Sequence, residues 1–319
     1  MAGHGGYGGV AVRNGPVLNI PVGLWAIGVS GGGDSVALLH MLVAAGQKPV
    51  VLHYNHMWSA WGDKAEALVT KLCGKYGLKL VVGKGKGRPA TNAEAKAREE
   101  RYAFFAKQVG KLKLEGVLVG HTQTDDVEGF FMRLARGSGV AGLAGMKEDN
   151  AVEGVRVVRP LLGYTRAELR AYLKTHQQTY VNDPSNRADD TFRARIRKVL
   201  PVLAKAGVEP QHVASSMASL HAANVALDIT VQGLWKAHGR VERGRALFPR
   251  AVLLDQPQEL AVRLVGILLQ QSGQQQPLPR RQQCLAALVA IGAEGHGKRS
   301  LGRCFISWTS LRVVCERLS

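Results

Sequence analysis

The fold of this chain is decided by the stretch Leu24-Trp-Ala-Ile-Gly-Val-Ser-Gly-Gly-Gly-Asp-Ser-Val-Ala-Leu-Leu-His-Met-Leu-Val-Ala-Ala45. The apolar run at 24–29 predicts a buried strand, and the run at 36–45 predicts a helix. The three glycines between them cannot fill a core, and ordering them costs backbone entropy. A strand, a glycine loop and a helix that opens at Asp34 present bare amide groups and a positive helix end. The stretch therefore predicts an anion site.

Further apolar runs predict that this strand belongs to a larger sheet. Four short runs have the length and composition of buried strands, at 24–29, 49–53, 78–82 and 117–120. Helical spacing lies between them, at 36–45, 64–76 and 91–109, and Thr91-x-x-Glu94 predicts a capping box. The alternation predicts an α/β fold, a parallel sheet with helices on both faces. Ligands of such sheets bind at the carboxyl ends of the strands.

The pattern changes near residues 201–210, after a basic helix predicted at 193–198. Beyond this break the sequence predicts a smaller, mostly helical domain with helices at 212–234 and 257–271 and a polar loop at 271–277. Its last two runs predict a β-hairpin, at 300–307 and 311–317. We therefore expect three parts: a flexible N-terminal tail, a catalytic domain and a C-terminal substrate-binding domain, at 1–20, 21–205 and 206–319.

The charge of the chain points to an acidic partner. Its 319 residues include 42 Lys and Arg but only 24 Asp and Glu, a formal charge of +18. Such an excess favours nucleic acid as the partner, although a generally basic protein is the alternative. We find no basic amphipathic helix with an aromatic face and no apolar run of about 18 residues, so we expect no membrane partner.

The cysteines and the N-terminus indicate a cytoplasmic protein. None of the four cysteines forms a C-x-x-C pair, which argues against a zinc ribbon or a redox dithiol. We expect reduced, mostly buried thiols, at Cys73, Cys284, Cys304 and Cys315. The N-terminus lacks the charged and apolar regions of a secretory signal.

The glycine loop matches neither of the two common nucleotide-binding loops. It lacks the Gly-Lys-Ser/Thr of a Walker A sequence, and it is not G-x-G-x-x-G. Ser30-Gly-Gly-Gly-Asp-Ser35 instead resembles the PP-loop of enzymes that split ATP between its α and β phosphates. The alternative is an ordinary strand-to-helix turn with Asp34 as N-cap. The loop alone leaves GMP synthetase, argininosuccinate synthetase and the tRNA thiolases open.

Other blocks narrow the resemblance to the tRNA(Ile)-lysidine synthetases. They match that family in order along nearly the whole chain, at 89–102, 120–128, 132–139, 159–162, 183–186, 192–201, 279–280 and 301–304. The resemblance implies that the chain uses ATP and Mg²⁺ to join L-lysine to C2 of the wobble cytidine of tRNA(Ile) with a CAU anticodon. The C2 oxygen attacks the α-phosphate, pyrophosphate leaves, and the lysine ε-amine then displaces AMP.

The resemblance also implies roles for individual residues. ATP would bind the loop residues Ser30, Gly31, Gly32, Gly33, Asp34 and Ser35. The catalytic candidates are Asp34, Asp125 and Arg193, with Asp34 as the candidate Mg²⁺ ligand. Candidate contacts to substrate or phosphate are Arg101, His121, Arg136, Gly137 and Ser138.

Some of these residues also have purely structural interpretations. Gly137 could simply end the apolar helix before it, and His121 could be a core histidine. His40, among apolar residues, is more typical of a structural side chain. Of Arg193, Arg195 and Arg197, two are expected on a solvated face. The oligomeric state is left open, a homodimer among the options.

The acidic stretch departs from the family pattern. The family usually has two adjacent aspartates before a glutamate. Counting from His121 to Glu128 places Thr124 at the first aspartate position and Asp125 at the second, with Asp126 as an extra acid. A shift of one residue would make Asp125 and Asp126 the pair.

Three other positions depart as well, and they keep a second class of function open. Asn55 and Ser59 stand where the family has Asp and Arg, and Ala194 stands where it has Asn. The departures at Thr124 and Asn55 would support a catalytically silent protein that binds ATP and tRNA. A tRNA sulfurtransferase is the enzymatic alternative, but its chemistry needs paired cysteines, which the chain lacks.

Overall fold

The computed structural model describes residues 7–11, 17–89, 91–182, 191–273 and 279–318. It divides into two compact units, Met1–Met132 with Gly145–Ala214, and Arg133–Ala144 with Ser215–Ser319. The domain boundary expected at 205–206 lies nine residues before the division between the two units at 214–215. None of the helices in the described ranges is long and apolar enough to cross a membrane.

The first unit contains most of the elements up to residue 214. Its strands are β1 (Tyr7–Ala11), β2 (Val17–Pro21), β3 (Ala26–Gly28), β4 (Val50–Asn55), β5 (Leu80–Lys84), β6 (Val117–Val119), β7 (Asp149–Val152) and β8 (Val155–Val158). The helices of this part of the chain are α1 (Gly33–Ala44), α2 (Ala60–Tyr76), α3 (Ala93–Leu112), α4 (Gln123–Leu134), α5 (Val140–Leu143), α6 (Arg166–Thr175) and α7 (Phe192–Lys205).

The main sheet has the strand order β5-β4-β3-β6-β8-β7. All neighbouring strands are parallel except β7 and β8, so the predicted parallel sheet is confirmed. Alternate residues of the strands face opposite layers: Ile27 packs with α1, α2 and α6, whereas Ala26 packs with α3. Helices therefore cover both faces, and the glycine loop follows the central strand β3.

The hairpin of β7 and β8 was not predicted. Its turn, Glu153-Gly154, has φ angles of 48° and 80°. Two residues with positive φ suit a tight hairpin, but Glu is an unusual choice for the first of them. Glu153-Gly154 is therefore a weaker turn signal than Asn-Gly or Asp-Gly.

The capping box predicted at Thr91 and Glu94 is wrong. α3 begins at Ala93, and its N-cap is Asn92 at a φ of 52° with no side-chain cap. A capping box is instead present at α6, where Thr165 and Glu168 exchange hydrogen bonds. Pro201 also lies inside α7 rather than ending it.

The flexible tail expected at 1–20 is corrected for the described residues. β1 and β2 pair antiparallel, from Tyr7 opposite Pro21 to Ala11 opposite Val17. Leu18 and Ile20 alternate along β2, and both are buried in the core of the first unit. The many glycines of the N-terminus obscured this short alternating pattern.

The second unit combines helices with a sheet. Its elements after residue 214 are most of α8 (Pro210–His238), then β9 (Arg240–Glu242), β10 (Arg245–Pro249), α9 (Arg250–Leu254), α10 (Gln258–Gln271), α11 (Arg281–Ala293), β11 (Gly297–Leu301), β12 (Cys304–Trp308) and β13 (Arg312–Arg317). The sheet is antiparallel in the order β11-β12-β13-β10-β9. The predicted C-terminal hairpin is its β12-β13 pair, and the other three strands were not predicted. All four cysteines are free and buried.

The N-terminal strand provides a test of this fold. Leu18 has no exposed surface, whereas 61% of its neighbour Val17 is exposed. We expect Leu18→Ala to lower the free energy of unfolding by about 2–5 kcal/mol, because it removes buried methyl groups and leaves a cavity. Val17→Ala should change it by less than about 0.5 kcal/mol. Urea unfolding of both variants measures the difference, and equal effects would contradict the packing of β2 in the core.

Candidate functional site

The glycine loop between β3 and α1 is closed by its own serines. The Ser35 hydroxyl donates to the Gly32 carbonyl at 2.9 Å and accepts from the Ser30 backbone N–H at 3.1 Å. The Ser30 hydroxyl in turn accepts from the Gly32 N–H at 3.3 Å. These bonds fold the backbone back over the start of α1. Hydrogen bonds within the loop therefore hold its conformation.

Each glycine of the loop has a different reason to lack a side chain. Gly31 has a φ of 85°, and a Cβ there would lie 2.9 Å from the Cβ of Ala65 on α2. A Cβ on Gly33 would touch the ring of Tyr180 at 3.4 Å. At Gly32 it would meet only the Ser30 hydroxyl, at 3.5 Å, so this glycine borders open space. Gly32 is also the N-cap of α1 and has no side-chain cap. The open space thus lies at a helix N-terminus, which favours an anion.

Asp34 and Asp125 are brought together by an arginine that the sequence did not identify. Arg166, the first residue of α6, donates from Nε to Asp34 Oδ2 at 3.2 Å and from Nη2 to Asp125 Oδ1 at 2.8 Å. Its Nη1 reaches Glu128 Oε1 at 3.3 Å. One guanidinium therefore contacts three carboxylates from α1 and α4. The Thr165-x-x-Glu168 capping box was the available signal, since it places Arg166 at a helix start.

The two aspartates have different environments. Burial raises the pKa of Asp34 above its ordinary value, although the neighbouring Arg166 opposes this shift. Burial would also raise the pKa of Asp125, but Arg166 and hydrogen bonds from Thr122 outweigh it, and the pKa falls below its ordinary value. Thr122 donates to Asp125 Oδ2 from both its backbone N–H and its hydroxyl. Of the two carboxylates, Asp34 is the more ready proton acceptor.

Glu128 is a buried carboxylate held by arginines. Only 1% of its side chain is exposed, and Arg197 contacts both of its oxygens, at 2.6 and 3.0 Å. Arg193 Nε lies 3.5 Å from Glu128 Oε2. Arg193 thus lies beside the acidic group. The expectation that two of Arg193, Arg195 and Arg197 lie on a solvated face is wrong for Arg197, which pairs with buried Glu128. Glu128 ties the first turns of α7 to α4.

The departures at Thr124 and Asp126 have a structural explanation. The Thr124 hydroxyl accepts the backbone N–H of Arg166 at 3.1 Å, so it anchors the start of α6. Asp126 Oδ1 accepts the backbone N–H of Met146 at 2.9 Å. Only Asp125, of the two adjacent acids, has an ion pair with Arg166 among the described contacts. The geometry therefore favours the register in which Thr124 takes the first position.

Asn55 lies at the end of β4 in a network of its own. Its Nδ2 donates to Asp63 Oδ1 at 3.1 Å and to Glu66 Oε2 at 2.9 Å. Its Oδ1 accepts the backbone N–H of Met57 at 2.9 Å. An amide meets both demands, whereas an aspartate would place an anion against two carboxylates. The asparagine is thus matched to the acids on α2.

Arg101 and His121 lie near each other in the first unit, since the charge of Arg101 contributes to the lowered pKa of His121. Burial lowers the pKa of Arg101, and burial lowers the pKa of His121 to about 4, so the imidazole is neutral at pH 7. The His121 Nδ1 atom is buried without a hydrogen-bond partner among the described groups. The guanidinium of Arg101 lies 5.5 Å from the ring centroid of Tyr102, and that of Arg98 lies 4.7 Å from it. The group suits an anionic or hydrogen-bonding ligand.

The remaining predicted residues lie elsewhere. Gly137, at a φ of 67°, follows α4, and its N–H donates to the Leu134 carbonyl, so its helix-ending role is present. Arg136, Gly137 and Ser138 belong to the second unit. His40 Nδ1 lies 2.8 Å from the Tyr172 hydroxyl, which supports a structural role. The block at 183–186 lies outside the described residues.

Comparison with known proteins shows the family to which the chain belongs. The PP-loop domain family matches residues 17–203. A tRNA(Ile)-lysidine synthase from Ruegeria pomeroyi is 33% identical over 297 residues, 90% of this chain and 69% of the relative. Another from Novosphingobium aromaticivorans is 33% identical over 279 residues, 86% of this chain and 83% of the relative.

A solved structure supports the fold alone. The U34-tRNA thiolase NcsA from Methanococcus maripaludis, with its [4Fe-4S] cluster, superposes with a TM-score of 0.52 over 61% of this chain and 70% of that chain. Its sequence identity is 17%. The likeness agrees with the parallel-sheet fold.

The open space at Gly32 gives a test of ATP binding. The residue has a φ of −74° and a ψ of 162°, which valine also adopts, so Gly32→Val fills the space without backbone strain. We expect the affinity for Mg-ATP to fall roughly tenfold or more. Gly74→Val is the control, because a Cβ at Gly74 on α2 meets nothing within 4 Å. Isothermal titration of both folded variants measures the effect, and unchanged affinity in Gly32→Val would refute the site.

The Asn55 network gives a second test. At pH 7 we expect Asn55→Asp to lower the free energy of unfolding by about 1–3 kcal/mol, because it replaces two hydrogen bonds with repulsion in a buried position. The pKa of the new carboxyl should be raised in the folded state. The loss of stability should therefore be largest at pH values above this raised pKa. It should disappear as the pH falls to about 4, the pKa of aspartate in the unfolded chain.

Urea unfolding at pH 7 and near pH 5 measures this dependence. The double variant Asn55→Asp with Glu66→Gln serves as the control, since the amide at position 66 can donate to the new carboxylate. It should recover part of the lost stability. A double variant as unstable as the sum of the two single changes would contradict the network.

Proposed function

Because the chain belongs to the tRNA(Ile)-lysidine synthase family of PP-loop proteins, we propose that it ligates L-lysine to C2 of the wobble cytidine of tRNA(Ile). ATP is split to AMP and pyrophosphate in this reaction. The cytidine C2 oxygen attacks the α-phosphate, and the lysine ε-amine then attacks C2 and releases AMP.

The observation that carries the proposal is the meeting of Asp34 and Asp125 at the glycine loop. The two residues lie on α1 and α4, which follow the neighbouring parallel strands β3 and β6. Both contact Arg166. A phosphate-binding loop next to paired carboxylates meets the two needs of the reaction, which are to hold the triphosphate and to accept protons.

The triphosphate is assigned to the open side of Gly32, where it would face the first turn of α1. Mg²⁺ prefers carboxylate oxygens as ligands. The Arg166 guanidinium already places a positive charge between the carboxylates of Asp34 and Asp125, so these two side chains fit that ion. Asp34 and Asp125 would hold it. Within the described residues no three His, Cys, Asp or Glu side chains are spaced to hold a metal alone. Bound Mg²⁺ would neutralise phosphate charge and would take further ligands from ATP.

Protons must also leave the lysine amine before it attacks. Asp34 is assigned as the acceptor only in this second step, once pyrophosphate has left and Asp34 no longer holds a cation, because its burial raises its pKa. Glu128 is less suited, since Arg197 occupies both of its oxygens. Arg193, with 40% of its side chain exposed, is assigned to an anionic group of the substrates.

The basic surface is assigned to tRNA. The formal charge of +18 would favour a polyanion and make binding sensitive to salt. We place the reaction in the cytoplasm, with tRNA(Ile) and L-lysine as substrates.

Two alternatives, a tRNA sulfurtransferase and a catalytically silent protein that binds ATP and tRNA, lose support from the environments of the residues concerned. Thiol chemistry needs an accessible thiolate, but burial raises the pKa of Cys73 to about 11 and that of Cys315 to about 12. A silent protein was suggested by Thr124 and Asn55, yet both side chains have hydrogen-bond roles compatible with an intact site.

The decisive assay follows labelled L-lysine into a tRNA(Ile) transcript with a CAU anticodon. We expect Asp125→Asn to lower lysine transfer by roughly 10²–10⁴-fold, because the substitution removes a charge that holds metal or accepts protons. Asp126→Asn is the matched control, since Asp126 contacts the Met146 backbone instead. It should retain transfer within about threefold.

Filter binding of tRNA should be nearly equal in both variants, because neither loses a positive charge. No lysine transfer by the wild-type chain would refute the proposed function. Loss of transfer in Asp126→Asn alone would instead show that the acidic register is shifted by one residue.

A further inference from the structure

Arg166 is the shared counter-ion of the acidic group. Within the described residues it is the one ion-pair partner of Asp34 and of Asp125, at 3.2 and 2.8 Å. Glu128 is different, because Arg197 and Arg193 neutralise it as well. The single charge of Arg166 is therefore divided mainly between the two aspartates that the proposed function assigns to the metal.

The backbone of Arg166 is fixed while its side chain remains partly accessible. Its N–H donates to the Thr124 hydroxyl at 3.1 Å, and the Thr165–Glu168 capping box holds the first turn of α6, in which Arg166 lies. The side chain itself is 21% exposed, and that of Asp34 is 25% exposed. A fixed base and a long side chain let the guanidinium leave one carboxylate without unfolding α6.

Arrival of ATP would change the charge balance at this point. A triphosphate beside Gly32 adds negative charge next to Asp34, and one guanidinium cannot neutralise both. A divalent cation offsets more of this charge, because it can bind phosphate and carboxylate oxygens together, and it competes with Arg166 for the carboxylates. A cation at Asp34 would repel the Arg166 guanidinium, so it would weaken the contact of Arg166 Nε with Asp34 Oδ2.

We propose that Arg166 is a positioning residue that holds Asp34 and Asp125 together before nucleotide arrives and then yields Asp34 to the divalent cation that enters with ATP. This inference rests on the proposed function for its metal and nucleotide. Its consequence is that Arg166 suppresses metal binding in the absence of ATP. Metal and nucleotide therefore enter together.

The test measures metal alone. Mn²⁺ is titrated into the protein without ATP, tRNA or lysine, and free Mn²⁺ is read from its electron paramagnetic resonance signal. We expect the wild type to bind weakly, and Arg166→Gln to bind roughly tenfold or more tightly, because two carboxylates lose their internal cation. Arg166→Lys should lie between them, since an ammonium keeps the charge but cannot reach all three acids as a planar fork does.

Arg156→Gln is the matched control. Arg156 pairs with Asp149 on the β7-β8 hairpin through Nε and Nη2, so its loss also breaks an arginine–carboxylate pair. It should leave Mn²⁺ binding at the wild-type level. Thermal unfolding of each variant with and without Mn²⁺ gives a second reading, in which the metal should raise the Tm of Arg166→Gln more than that of the wild type.

Equal Mn²⁺ affinity in wild type, Arg166→Gln and Arg166→Lys would overturn the proposal and leave Arg166 as a permanent structural clamp. If Arg166→Gln folds only when Mn²⁺ is present, the proposal is supported. If it does not fold in either condition, Arg166→Lys decides, because a wild-type affinity in that variant would overturn the proposal. A wild-type chain that fails to transfer lysine would refute the function, but it would leave these metal affinities interpretable.

Discussion

A Cβ on Gly31 would lie 2.9 Å from that of Ala65, and the arrangement of the site depends on the absence of this atom. The close approach lets α2 pack against the glycine loop, and the Gly31 carbonyl accepts the N–H of Val181 from the segment after α6. Three parts of the first unit thus meet at one residue. Because this contact fixes the loop, its amides are placed before any anion arrives, and little ordering is left for binding.

The charges around the loop follow from this placement. Burying a carboxylate is costly unless cations or donors surround it, and Glu128 meets that condition through the arginines of α7. Asp125 meets it through Thr122 and Arg166, whereas Asp34 is less fully compensated. The acids therefore differ in environment because their partners differ, although all three contact the same arginine.

The sheet and the loop could be predicted from sequence because both depend on local patterns. Short apolar runs identify buried strands, and strands that alternate with helices leave little choice but a parallel sheet. The glycines at 31–33 signal a close backbone approach wherever they occur. The resemblance to a family then supplied Asp34 and Asp125.

The ion pairs could not be predicted in the same way. Arg166 is distant in the chain from both aspartates, and nothing in a list of charges tells which side chains meet. Thr124 looked like a missing acid because its partner is a backbone N–H that no sequence pattern displays. The β1-β2 pair was missed for a different reason, since glycines around it outweighed the short alternation at Leu18 and Ile20.

The Asn55 network has a consequence for how this sequence can change over evolutionary time. Its amide faces two acids with its nitrogen and a backbone N–H with its oxygen, so positions 55, 63 and 66 share one hydrogen-bond pattern. A lineage that acquires an aspartate at 55 must first lose an acid on α2, or pass through a less stable intermediate. The order of mutations is therefore constrained, and the three positions should vary together among descendants.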